Sequence, residues 1–255
     1  MFINIRYKLR LQTGFTLVEL AVVLVIVGIL LSSVLGTLGS RIENSRKNET
    51  KKQLAEIKLA LIGYAYVNGR LPCPDCSVVN GSCLATDVGD GISDDDGAIC
   101  DEGENTGFLP WSTLGIGQSD SWGTRYSYSV QNEYANLTTP FELSSAVGSA
   151  VIQEPDFVAD ATGGAAQSLA TSVVAVIFSH GENGYGGTNT SSIARAVIPA
   201  ANTDEKENTD DDGDFYMRPE TAAGATIAGG EFDDILIWIS EFELKAKMVE
   251  AGKLP

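Results

Sequence analysis

Four groups of residues in this 255-residue chain have types and spacings able to carry chemistry. They are a set of clustered cysteines, two acidic loops, a serine–histidine pair and one glutamate inside an apolar run. Cys73, Cys76, Cys83 and Cys100 are the only cysteines and fall in one short window. The Cys73-Pro-Asp-Cys76 spacing suits two tetrahedral zinc ligands. An even, clustered set of thiols also suits a disulfide framework, for which four cysteines allow three pairings. The redox compartment decides between them. Downstream of an export signal, oxidation to disulfides is the expected state.

The acidic loops are residues 87–104, with eight acids and no base, and 204–214, with seven acids against Lys206. Calcium takes roughly six to eight oxygen ligands, which Asp, Asn and carbonyl groups in a glycine-containing loop can supply. Asn208, Asp210, Asp212 and Gly213 match the opening of a calcium loop. The twelfth position is Pro219, where an EF-hand needs a bidentate glutamate, so an EF-hand is excluded and a looser loop site stays open. The plain alternative is a solvated acidic surface. His180 is the only histidine and follows Ser179. Adjacent strand residues point to opposite faces, which makes the two poor partners for a hydrolytic triad. With one histidine and no G-x-S-x-G elbow, and no lysine in the "GENGYGG" turn, neither a hydrolase nor a phosphate-binding loop is supported. Trp111 and Trp122 read as core aromatics.

The elements that must position these groups follow from charge and periodicity. The first 14 residues carry Arg6, Lys8 and Arg10 and no acid, so the formal charge of −17 becomes −20 on the remainder. An acidic body of that kind repels nucleic acid and anionic headgroups. Residues 15–35 are apolar except for Thr16, Glu19, Ser32 and Ser33. As a helix they would extend about 30 Å, enough to cross a bilayer's hydrocarbon core. The preceding bases place residues 1–14 in the cytoplasm. Leu54, Ile57, Leu61 and Tyr64 recur at helical spacing, so one long helix is expected from about Thr16 to about Val67, ending at Asn68-Gly69. Residues 124–130, 172–180 and 233–240 are β-branched and aromatic runs, 194–200 is a weaker one, and 242–250 suits a short terminal helix. The expected fold is α+β. A long N-terminal helix, with a transmembrane half and an amphipathic half, packs on a small antiparallel sheet domain.

Glu19 is the residue that orders this picture, because a carboxylate in hydrocarbon is costly unless paired. Gly14-Phe15-Thr16-Leu17-Val18-Glu19-Leu20 behind a short basic leader resembles the class III signal of the type IV pilins and type II secretion pseudopilins. The resemblance implies cleavage between Gly14 and Phe15 by a prepilin peptidase and N-methylation of Phe15. It also implies pairing of Glu19 with the N-terminal ammonium of a neighbouring subunit. The division implied is a leader at 1–14, a long helix at 15–68 with its transmembrane segment at 15–35, and an exported globular domain at 70–255 with a cysteine-rich insert at 73–100. The chain would be a structural subunit, minor or specialised, and not an enzyme. It would sit in the bacterial inner membrane by a single pass, with its globular domain periplasmic or extracellular. Its partners would be other pilin-like subunits in a helical filament and the inner-membrane assembly platform, with no nucleic acid. The alternative is an adhesin-like or substrate-binding protein on the same anchor.

The globular part is also similar, in three pieces, to the major pseudopilin of type II secretion. These are residues 121–128 (SWGTRYSY after Asp120), 178–184 (FSHGENG) and Asp233-Asp234-Ile235 with Trp238. That likeness implies calcium in the loop ahead of the final segment, near Asp233 or Asp234. The full expected calcium set is therefore Asn208, Asp210, Asp212, Asp233 and Asp234.

Overall fold

The computed structural model describes residues 14–77, 83–94, 100, 105–155, 167–210, 212–224 and 227–254, without the side chains of 31–38. The leader up to residue 13 and acids 95, 96, 101, 102, 104 and 211 lie outside the described residues. Internal contacts divide the chain into two units, up to Ser45 and from Arg46 onward. Helix α1, Leu17–Asn68, runs across this division.

In the first unit, α1 presents apolar side chains to its surroundings along the whole stretch from Leu17 to Leu30, Val27 and Ile26 included. No helix among the described residues is long and apolar enough to cross a membrane. The expected span at 15–35 runs into positions whose side chains lie outside the description. The helix continues through Gly36 without interruption.

The second unit holds the remainder of α1 and a mixed six-stranded sheet. In chain order its elements are β1 (Thr106–Phe108), α2 (Trp111–Leu114), β2 (Ser127–Val130), α3 (Asn132–Ala135), β3 (Ala150–Glu154), β4 (Gln167–Ser179), α4 (Thr203–Glu207), β5 (Asp214–Tyr216), β6 (Ile235–Ser240) and α5 (Glu241–Glu250). β4 is the hub. Phe178 pairs with Ser127 of β2 and Leu236 of β6, and Val173 with Ala150 of β3 and Ser240 of β6, all antiparallel. β2 and β3 therefore follow one another along one edge of β4, and β6 lies along the other. β1 continues the sheet beyond β2. The expected antiparallel sheet needs one correction: β5 runs parallel to β3, pairing Phe215 with Ile152. A parallel neighbour needs a long crossover, and here the connection is the whole stretch 155–213.

The near-continuous apolar run of β4 is explained by burial on both faces. Ala175 and Ile177 join a core with Leu54, Ile57 and Leu61 of α1, Tyr126, Tyr128, Leu244 and Met248. Val176 and Phe178 face a second core with Ile152, Phe215 and Phe232. On α1 the buried stripe is Leu54, Ile57, Leu61, Ile62 and Ala65. Tyr64 is only half-buried, at the edge of the stripe, where Arg70 lies 5.9 Å over its ring. The helix ends as expected, with Gly69 at φ +71° and its N–H on Ala65 O. Residues 194–200 form no strand and make only isolated bridges, Ala194 to Thr188 and Ala196 to Tyr185. Trp111 and Trp122 are half-buried rather than core. The Trp111 ring lies against Gly91, where a Cβ would clash with it.

Candidate functional site

At the start of α1, Gly14 and Phe15 are exposed, and beyond its chain neighbours no heavy atom among the described residues comes within 4 Å of a Cβ built on Gly14. Thr16 is the N-cap. Its Oγ1 accepts the Glu19 N–H (3.2 Å), and Glu19 Oε2 accepts from both Thr16 N (2.8 Å) and Thr16 Oγ1 (2.9 Å). This is the reciprocal capping box of a T-x-x-E sequence, which satisfies otherwise orphaned N–H groups at a helix start. In the single chain Glu19 is thus held by its own helix. Thr16 was not among the expected site residues, although the T-x-x-E spacing announces it.

The acidic residues separate into two groups. Glu205, Asp233 and Asp234 each bring a carboxylate oxygen within 4.8 Å of the others. Helix α4 supplies Glu205, and the residues leading into β6 supply the aspartates. Glu205 is 1% exposed and Asp234 8%. Glu205 Oε1 accepts from Asn183 Nδ2 (2.7 Å) and Asp233 N (3.0 Å), and its Oε2 from Asn202 Nδ2 (3.2 Å). Asp233 Oδ2 accepts from Asn183 N (2.9 Å), and Asp234 Oδ2 from Asn208 Nδ2 (2.8 Å). The Oδ1 atoms of both aspartates are buried and accept no hydrogen bond among the described residues. Gly181, at φ +58°, makes this approach possible, since a Cβ there would run into the Asp233 carboxylate.

Electrostatics follow from this packing. Burial, reinforced by the Glu205 charge, pushes Asp233 up to about 7 and Asp234 well above the carboxylate range, and burial raises Glu205 as well. Arg218, the base buried in the adjoining loops, is engaged by Asp204 (Nε–Oδ2 2.8 Å) and Gly230 O. Three clustered carboxylates with two unused oxygens call for protons or a hard cation. All-oxygen donors of this kind fit calcium or magnesium, and not a soft metal.

Of the five expected ligands, Asn208, Asp233 and Asp234 come together. Asp210 and Asp212 do not: they group with Glu207 in a separate, largely exposed cluster, and Asp212 Oδ1 accepts the Asp214 N–H of its own turn. Glu205 takes their place. Its signal was present in the sequence, because Glu205 and Asn208 are three apart and a helical turn puts them on one face.

The cysteines form two disulfides, Cys73–Cys100 and Cys76–Cys83, with Cα separations of 5.2 and 6.2 Å. No thiolate remains for zinc, so the C-x-x-C spacing serves two different cross-links. Between them sits Asp75, whose buried carboxylate accepts the N–H groups of Gly89 and Gly91 (2.8 Å each). Arg125 Nη1 donates to Gly89 O (2.6 Å) and ties this insert to the segment before β2.

Ser179 and His180 take different partners. Ser179 Oγ donates to Asp120 Oδ2 (2.6 Å), inside the turn where Asp120 Oδ1 accepts from Trp122 N and Thr124 N. The His180 ring stands between Ser127 Oγ (2.9 Å from Nε2) and Tyr185 O (2.9 Å from Nδ1).

Comparison with known proteins bears on the N-terminus alone. Residues 9–35 match the family model of the prokaryotic N-terminal methylation motif, the class III prepilin signal of type IV pilins and pseudopilins. No curated protein and no solved structure matches the chain.

Proposed function

We propose that the chain is a structural subunit of a type IV pilus or a type II secretion pseudopilus, of the minor or specialised kind. The observation that carries this reading is the coincidence of the methylation motif at 9–35 with a capped helix start and an exposed apolar stretch behind it. A prepilin peptidase cuts between Gly14 and Phe15, and methylation follows at Phe15. Residues 15–35 anchor the uncut and cut chain in the inner membrane, then pack between subunits in the filament.

Cleavage creates the charge that Glu19 needs. Before it, no α-ammonium exists near Phe15, and the capping box with Thr16 satisfies the carboxylate. After it, the carboxylate exchanges that box for the ammonium of a neighbouring Phe15. A charge pair satisfied only between subunits favours one axial register, since a slipped register leaves both charges unpaired.

Glu205, Asp233 and Asp234, with Asn208 behind them, are proposed to hold calcium. The cation supplies the positive charge that the cluster lacks, and the asparagines orient the carboxylates toward it. The mass of the N-terminal peptide from host membranes tests the subunit reading. A peptide beginning at N-methylated Phe15 supports it, and one retaining residues 1–14 removes its basis.

A further inference from the structure

A cavity of about 340 Å³ opens between β1, β2 and the turns at 186–188 and 208–209. That is at the small end of the roughly 300–1,000 Å³ range of small-molecule sites. No carboxylate, ammonium or guanidinium among the described residues lines it. Hydroxyls do: Ser77, Thr106, Ser127, Thr188 and Thr209, beside the Asn208 amide and over an apolar floor that includes Phe178. The imidazole of His180 is fully buried at its side, and burial holds the ring neutral, its pKa lowered to about 4.

The hydrogen bonds fix the polarity of this wall. Tyr185 O can only accept, so the proton of His180 sits on Nδ1. Nε2 is then an acceptor, and the Ser127 hydroxyl must donate to it. With its proton committed, Ser127 Oγ offers only lone pairs to the cavity. Thr106 Oγ1, in the same wall, is buried without a hydrogen-bond partner among the described residues. A buried hydroxyl of that kind is costly to leave unmatched. The ligand must therefore bring hydroxyl groups, which donate and accept at once, together with an apolar face and no net charge. Phosphates and carboxylates find no cationic group here, and the acidic body repels them.

We propose that this cavity is a binding site for a neutral sugar, one pyranose unit deep. It uses none of the residues assigned above to filament assembly, so it stands or falls independently of that reading.

The test uses the full-length chain in amine-oxide detergent micelles, which carry no sugar headgroup. Glucose, galactose, mannose and N-acetylglucosamine are titrated by calorimetry and saturation-transfer NMR. Galacturonate and a neutral tripeptide serve as comparisons. At least one neutral sugar is expected to saturate in the millimolar range or tighter. The double variant Thr106→Val, Ser127→Ala keeps the shape of the wall and is expected to weaken binding about tenfold, the worth of two neutral hydrogen bonds. Thr188→Trp, at the half-exposed mouth, is expected to abolish it. Immobilised glycans carrying the bound sugar as terminal residue separate a surface glycan from a free monosaccharide as the source. Three results overturn the proposal: no saturable binding of any neutral sugar by a folded chain, binding unchanged in both variants, or tighter binding of galacturonate or the peptide.

Discussion

Replacing Asp233 with asparagine should stabilise the chain in the absence of calcium and lose most of that advantage in its presence. Burial and the neighbouring Glu205 raise the Asp233 carboxyl to about 7, against roughly 3.9 in an unfolded chain. The folded state therefore binds the proton more tightly. The associated stability is fully present below about pH 4 and is lost as pH rises through about 7. Three pH units at about 1.36 kcal/mol each give a ceiling of about 4 kcal/mol for ionising this group in the fold above pH 7. The ceiling is shared, because relief at Asp233 also relaxes Glu205 and Asp234. The amide introduced by Asp233→Asn keeps the acceptor for Asn183 N and removes the charge, so in chelator at pH 8 the variant should be more stable by about 2–4 kcal/mol. Calcium narrows or closes that gap. Extracellular modules bind calcium at roughly 10⁻⁴–10⁻³ M, and about 10 mM calcium then stabilises the wild type by about 1.4–2.7 kcal/mol. For a domain of this size that is a rise in Tm of about 3–10 °C. The variant, lacking one of three carboxylates, should show little of that rise. Thermal unfolding of both proteins in chelator and in calcium measures all four values. A wild-type Tm indifferent to calcium, or a variant destabilised equally in both buffers, refutes the reasoning.

Glu19→Ala should abolish filament assembly, read by electron microscopy of sheared cells. Glu19→Gln separates two roles, since an amide oxygen can still accept from Thr16 N and cannot pair with an ammonium. Normal filaments from Glu19→Gln would show that the carboxylate acts only as a cap. Opening Cys73–Cys100 with paired serine substitutions should cost about 3.6 kcal/mol in the chain-entropy account, and opening Cys76–Cys83 about 2.4, from their separations of 27 and 7 residues. Denaturant titrations of the two variants test that ranking. Asp75 is raised to about 7, burial outweighing the two N–H groups it accepts. Its contribution to stability is therefore present below about pH 4 and lost through about pH 7. The Gly89 and Gly91 amide resonances should titrate together near pH 7, and fixed shifts between pH 5 and about 8.5 would contradict this.

The parts of the fold legible in the sequence were those set by local chemistry. The end of α1 at Asn68-Gly69 is written in a glycine that takes positive φ. The hub strand β4 and the edge strand β6 are long enough for their apolar, β-branched runs to stand out. The short strands were not legible. β1 is only three residues long with a glycine at its centre, and β5, Asp214–Tyr216, emerges from an acidic loop. Such strands exist because β2 and β3 offer open edges, which is a tertiary cause. For the same reason the parallel β3–β5 pairing could not be read locally. In the acidic centre, Asp233 and Asp234 were expected through the resemblance to the major pseudopilin, whereas Asp210 and Asp212 looked equivalent from their loop spacing and are not. What separates them is burial. Asp210 and Asp212 stay at the surface, while α4 and its C-cap carry Glu205 and Asn208 inward. The cysteine spacing left three pairings open, and the fold links Cys73 to Cys100 and Cys76 to Cys83.

The proposed calcium role would also account for so costly a cluster in the interior of the domain. Asn183 follows β4, Asn202, Glu205 and Asn208 belong to the α4 segment, and Asp233 and Asp234 lead into β6. These three segments are far apart in sequence, and among them only β4 and β6 are joined by a strand ladder. A packed apolar cluster in this place would stabilise the loops regardless of the medium. Carboxylates with unused oxygens make their cohesion conditional on what neutralises them, a proton or a cation. With calcium bound as proposed, stability would be low where cations are scarce and neutral pH ionises the group, and higher where calcium is plentiful. For an exported subunit this dependence would ready the domain after translocation, and the calcium-dependent unfolding measurements on Asp233→Asn report directly on it.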